Sequence, residues 1–135
     1  MAKSDSKNGG NGSSSKDKFD KLAKAAISRE MIAAGLTAAA SEANVPHRLT
    51  RVGSMMTLFF NGHDVVDWDT AALSDTKRYA RYFWELLDRG VYMPCSQYEA
   101  LFVSAAHSNE DIDATIAAAR QAMDQLDTSD NGQNN

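Results

Sequence analysis

"HRLTRVGSMMTLFF", residues 47–60, is where the chain stops reading as helix and starts reading as sheet. Arg48, Thr50 and Val52 alternate with Leu49 and Arg51, the two-residue period of a strand whose faces meet different surroundings. After Gly53-Ser54 comes Met55-Met56-Thr57-Leu58-Phe59-Phe60, a short and nearly continuous apolar run. Two strands joined at the Gly-Ser break, or one bulged strand, fit this pattern. Just upstream, Pro46 lacks an N–H and keeps Val45 out of the α region, so a helix arriving from the N-terminal side ends there. Just downstream, Asn61-Gly62-His63-Asp64 has Asn-Gly turn chemistry.

The flanking segments read as helices. Over 18–43, Phe19, Leu22 and Ala26 share one face at helical spacing, and Met31, Ala34, Leu36 and Ala38 to Ala40 continue it with high helix propensity. Ser28 followed by Glu30 leaves one helix or two open. "VVDWDTAAL", residues 65–73, reads as an irregular connection. "SDTKRYARYFWELLDR", residues 74–89, is the strongest helix. Ser74 suits the N-cap, Asp75 suits the positive end of the helix dipole, and Tyr79, Phe83, Leu86 and Leu87 form the apolar stripe. Gly90 stands where a left-handed residue ends a helix. "VYMP", residues 91–94, reads as a short strand stopped by Pro94, and 101–105 as another. A last helix starts at Ser108, whose pairing with Asp111 resembles a capping box. Ile112, Ile116, Ala119, Met123 and Leu126 carry its stripe. Short strands between amphipathic helices predict an α+β fold of two layers, a short antiparallel or mixed sheet with helices on one face.

The 135 residues point to one domain. Residues 1–17, rich in Gly, Ser and Asn, and residues 127–135 read as disordered polar tails around a folded part at 18–126. A net charge of -4 argues against nucleic acid as a partner, because that affinity comes from clustered Lys and Arg facing phosphates. No apolar run approaches the roughly 20 residues that span a bilayer, so no membrane is expected. The single cysteine, Cys95, allows no internal disulfide, and with no signal-like segment the chain fits the cytoplasm.

Few side chains suggest chemistry. "GGNG", residues 9–12, has neither the strand nor the helix of a phosphate loop. His63, Asp64, Asp67 and Asp69 are metal-ligand types without ligand spacing, and turn chemistry accounts for them, so no metal is expected. Cys95 and His107 could pair as nucleophile and base. A packed thiol and a histidine bonded to its own turn are the plainer accounts. Tyr79, Tyr82, Phe83 and Trp84 read as core and rim. Glu99 stands out: it sits with Gln97 and Tyr98 between Pro94 and an apolar run, and this polar trio could face a pocket.

"LTRVGSMMTLFF" and "SDTKRYARYFWELLDRGVYMPCSQYEALFVSAAHSNEDIDATIAAAR", above all "RVGSM", "DRGVYMPCSQYEA" and "SAAHSNEDIDATI", resemble the C-terminal part of the glutamate-1-semialdehyde 2,1-aminomutases. These belong to the class III aminotransferase family of pyridoxal-phosphate enzymes. The resemblance covers about residues 30–126. It implies the small C-terminal domain of a fold-type I enzyme, an antiparallel sheet covered by helices. It also implies a chemistry: isomerisation of glutamate-1-semialdehyde to 5-aminolevulinate for tetrapyrrole synthesis, by cytoplasmic or plastidic homodimers.

The same resemblance carries one site residue to this chain. The glutamate of the family's Ser-Gln-aromatic-Glu motif lines the substrate pocket and falls on Glu99, within Ser96-Gln97-Tyr98-Glu99. Tyr98 stands where the family often has Phe, and Cys95 where it has a small residue or proline. The family's Schiff-base lysine lies in a glycine-rich strand-turn context on the large domain, and Lys3, Lys7, Lys16, Lys18, Lys21, Lys24 and Lys77 do not match it. No cofactor-binding residue is therefore expected in this chain alone. Two roles follow: a fragment or split subunit of the aminomutase that needs a lysine-bearing large domain, or a small-domain interaction module that docks on a full-length homologue.

Overall fold

The computed structural model describes residues 14–130. Its elements are α1 (Ser15–Glu42), β1 (Arg48–Val52), β2 (Met55–Phe59), α2 (Trp68–Ala71), α3 (Thr76–Asp88), β3 (Leu101–Phe102) and α4 (Asn109–Asp130). Residues 1–13 and 131–135 of the expected tails lie outside the described residues.

The first helix begins earlier than its apolar spacing suggests. Ser14 accepts from the Lys16 N–H, and the Asp17 carboxylate accepts from the Ser14 N–H, so a capping box places Ser15, Lys16 and Asp17 in helix rather than tail. The last helix likewise runs through 127–130. α1 is one helix, with Ser28 buried inside it. Its core face is Ile32, Leu36, Ala39 and Ala40, whereas Phe19 and Leu22 are 69% and 71% exposed. The reason is length. α1 runs alongside α4 in the same direction, with Gly35 beside Ile116 and Glu42 paired to Arg120. Lys24 is near Asp111, close to the start of α4. Phe19 and Leu22 precede that start, so α4 does not cover them.

Residues 47–60 form two strands. Gly53, at φ 61, makes the turn, and Val52 pairs with Met55, Thr50 with Thr57 and Leu49 with Leu58. β3 joins the other side of β2, giving an antiparallel sheet in the order β1-β2-β3. The expected strand at 101–105 shrinks to Leu101–Phe102: Val103 still donates to the Ser54 carbonyl, and then Ser104 turns away. "VYMP" is not a strand. Side chains hold it in place of a ladder, for Met93 is buried and Tyr79 Oη donates to the Pro94 carbonyl at 2.8 Å.

Two local readings change in the connection. Residues 65–73 contain the short helix α2, capped by Asp67, whose side chain accepts from the Thr70 N–H. The N-cap of α3 is Asp75, accepting from the Arg78 N–H, while Ser74 Oγ accepts from Asn61 Nδ2. Gly90, at φ 79, follows α3 as expected. The face of α3 is rotated by a residue from the expected stripe, with Tyr79, Tyr82 and Leu86 buried.

α1, α3 and α4 pack with Met56, Leu58 and Phe60 into one core, and Leu49 and Leu101 lean on it from the sheet. The α+β, two-layer architecture is as expected, with helices on one face of the sheet. The Ser108–Asp111 box is present: the Ser108 N–H donates to Asp111 Oδ2 at 2.7 Å, and the Asp111 N–H to Ser108 Oγ at 3.0 Å.

The caps predict an acid response. The Ser108 N–H holds the Asp111 carboxyl below its usual range, and the Thr70 N–H does the same for Asp67. A carboxyl lowered by folding adds stability above its unfolded pKa, about 4, and loses it as pH falls through the lowered folded value. Asp111→Asn should therefore lower the melting temperature at pH 7 and change it least at the most acidic pH. Melting curves from pH 7 to pH 2 check this; an equal loss at every pH would exclude it.

Candidate functional site

The stretch from Pro94 to Leu101 builds the site as a turn with one side chain buried and its neighbours left at the surface. Ser96 Oγ accepts from the Tyr98 N–H at 3.1 Å, and the Glu99 N–H donates to the Ser96 carbonyl at 3.2 Å, closing a tight turn. Gln97 points inward. It is 2% exposed, and its Oε1 accepts from the Phe60 N–H at 3.0 Å, beyond the end of the β2 ladder. This bond ties the turn to the sheet from within. Thr57 Oγ1 ties it from outside by donating to the Glu99 carbonyl at 3.1 Å. The polar trio expected to face a pocket is thus split: Gln97 is an internal anchor, and Tyr98 and Glu99 stay exposed.

Glu99 lines a cavity of about 390 Å³. Cys95 and His107 line it too, and Ile32, Met93, Val103 and Ile112 give it apolar walls. This volume is in the ordinary range of small-molecule sites. His107 is occupied by its own turn, its Nδ1 accepting from the Ser104 N–H at 3.1 Å. Cys95 is a free, exposed thiol. A smaller cavity of about 100 Å³ lies next to it, lined by Tyr79, Cys95, Ser96, Gln97 and Tyr98, and the Tyr98 ring packs 5.1 Å from Trp68.

Burial pushes the Tyr79 phenol up to about 12, and the nearby Glu99 and Cys95 push it the same way. Tyr79 therefore stays protonated and keeps donating to Pro94, which fixes the N-terminal side of the turn. Burial also raises Tyr82, beneath Phe60.

The remaining candidates are spread out. Asp64 accepts from Arg48 Nε, Asp67 caps α2, and the His63 N–H donates to Asn61. Among the described residues no three His, Cys, Asp or Glu side chains group to hold a metal ion. Pyridoxal phosphate needs an amine for its aldehyde and donors for its phosphate. Neither cavity is lined by a lysine or arginine, and Lys16, Lys18, Lys21, Lys24 and Lys77 are all exposed on helices. The residues lining these cavities do not fit the cofactor. Among the described residues no helix is long and apolar enough to cross a membrane.

The fold is that of part of a transaminase. A transaminase with PLP bound aligns over 82% of this chain and 24% of its own, with a TM-score of 0.64 at 16% identity. An omega-transaminase from Sphaerobacter thermophilus aligns over 79% and 24%, at 0.63 and 17% identity. A beta-phenylalanine aminotransferase from Variovorax paradoxus aligns over 71% and 22%, at 0.61 and 27% identity. No family model matches the chain.

In sequence the chain is similar to the glutamate-1-semialdehyde 2,1-aminomutases, as its motifs suggested. It is 47% identical over 97 residues to glutamate-1-semialdehyde 2,1-aminomutase 2 of Bacillus mycoides, and 46% identical to aminomutase 1 of Bacillus cereus. Each match takes in 72% of this chain and 23% of the relative, so the chain spans about a quarter of the length of these relatives.

Proposed function

We propose that this chain is a C-terminal fragment or split subunit of a glutamate-1-semialdehyde 2,1-aminomutase, inactive without a lysine-bearing large domain. The observation that carries this is the 47% identity over 97 residues, which is nearly the whole folded part. Bound in the large domain, pyridoxal phosphate supplies the amino-group transfer between neighbouring carbons. This chain supplies one wall of the pocket. Glu99 is its substrate-facing residue: the turn at 96–99 holds its backbone from both sides, and its carboxylate positions the substrate's amino group by charge and hydrogen bonding. It is a positioning residue rather than the central base. The single free thiol, Cys95, suits a cytoplasmic setting.

Purified alone and mixed with pyridoxal phosphate, the chain should show no aldimine absorbance and no aminomutase turnover. Covalent attachment at any of its lysines would overturn this. Co-expression with the rest of a relative tests the positive half of the proposal, and recovered turnover is the expected result. Capture of a complete homologue by a chain that never restores turnover would favour the docking-module role instead.

A further inference from the structure

β3 is short, and where it stops bears on Glu99. The ladder pairs Met55 with Phe102 and Met56 with Leu101. One step further, the same register would set Thr57 opposite Ala100, and one more would set Leu58 opposite Glu99. Neither pair belongs to the ladder, because the turn at 96–99 takes the chain off the sheet. Side chains take over there. Gln97 Oε1 accepts from the Phe60 N–H at 3.0 Å, and Thr57 Oγ1 donates to the Glu99 carbonyl at 3.1 Å. The two bonds hold opposite sides of the turn. Gln97 is buried, whereas Met56 and Leu58 face the core, so by two-residue alternation Thr57 faces away from it. They also differ in reach. Gln97 acts two residues before Glu99, and Tyr79 acts further back, at Pro94. Thr57 acts on the peptide of Glu99 itself.

Resting on the function proposed above, we infer that Thr57 is a positioning residue for Glu99. Its hydroxyl fixes the peptide that follows the Glu99 α-carbon, and that limits the direction in which the Glu99 side chain leaves the backbone. Thr57 lines neither cavity, so it acts through Glu99 and not on the substrate. Without the hydroxyl, Gln97 and Tyr79 still hold the start and middle of the turn. The turn stays formed, and its Glu99 end is free to pivot. A shift of about 1 Å at a reacting centre can cost on the order of a hundredfold in rate, so a small pivot is enough to be read in turnover.

The test co-expresses this chain with the Bacillus mycoides relative from which the matched 97 residues are removed, and reads the kinetics of the complex. Thr57→Val keeps a branched strand side chain and removes the donor. It should lower kcat/KM by about threefold to tenfold. The change should fall on the same constant, kcat or KM, that Glu99→Ala alters. The isolated variant should melt close to the wild type, because the lost bond is exposed. Thr57→Ser keeps the hydroxyl and should recover most of the loss. Added to Glu99→Ala, Thr57→Val should cause no further loss, because no carboxylate is left to position. Wild-type kinetics in Thr57→Val, an equal fall in Thr57→Ser, or a full further loss in the Glu99→Ala chain each overturns the inference and leaves the proposed function standing. A wild-type complex without turnover overturns the proposed function and the inference with it.

Discussion

Glu99→Ala, assayed in a complex of this chain with the large domain of a relative, is expected to lower turnover by about tenfold or more, a loss of at least about 1.4 kcal/mol of transition-state stabilisation. The figure follows from what a carboxylate contributes when it holds a charged group in a site shielded from water, where such a bond is roughly twice as strong as a neutral one. Glu99 is exposed in this chain, and its structural bonds are made by backbone atoms that alanine keeps. The isolated variant should therefore melt where the wild type melts and still be recovered with the large domain. Glu99→Gln keeps the shape and loses the charge, so it separates charge from packing. A fall in kcat with little change in KM would mean the contact tightens during reaction. A rise in KM alone would mean it only holds substrate. Wild-type turnover in Glu99→Ala would remove Glu99 from the site.

The second large effect lies away from the cavity. A β-carbon added to Gly35 would stand 2.5 Å from Ile116 Cγ1, 2.6 Å from Cδ1 and 3.0 Å from Cγ2. Three carbons of one side chain are involved, including both branches at its β-carbon, so no single rotation clears the space. α1 and α4 must move apart. Gly35→Ala gains about 1 kcal/mol of helix propensity. Overpacking a helix contact costs about 1–3 kcal/mol, so a net loss is expected, and a larger one for Gly35→Leu. Urea unfolding reads it. Adding Ile116→Ala to Gly35→Ala should recover part of the loss, because the two sites are in direct contact. A Gly35→Ala chain more stable than wild type would show that the helices have room to spare.

The elements legible in the sequence were those fixed by local chemistry. Gly53-Ser54 between an alternating run and a continuous apolar one marked a break that two strands or one bulged strand could fill, Gly90 ended α3, and Ser108 with Asp111 opened α4. What was not legible depended on neighbours far along the chain. Phe19 and Leu22 have helical spacing, but whether that face is buried depends on where α4 begins, some ninety residues later. "VYMP" has strand-like residues and no free strand to pair with; Tyr79 claims its carbonyl instead. Ser74 and Asp75 are both good caps, and the choice fell to Asp75 because Asn61 uses the serine. At the site, the resemblance singled out Glu99, which does line the larger cavity. Gln97 looked like one more polar neighbour. Only the open Phe60 N–H at the end of a strand makes it an anchor, and no spacing rule encodes that.

The length of α1 has a mechanical consequence. Ser15 to Leu22 are exposed on every side, and the first deeply buried residue is Ser28. At 1.5 Å per residue, the thirteen steps from Ser28 back to Ser15 make an arm about 20 Å long. Among the described residues, the arm is clamped at one end only. A tilt of about 10° at the clamp would carry its tip by about 3 Å, the scale of a hinge motion. Anything that grips Phe19 and Leu22 therefore works through a lever whose fulcrum is the core beside the Glu99 cavity, where Ile32, one turn past the clamp, forms part of the wall.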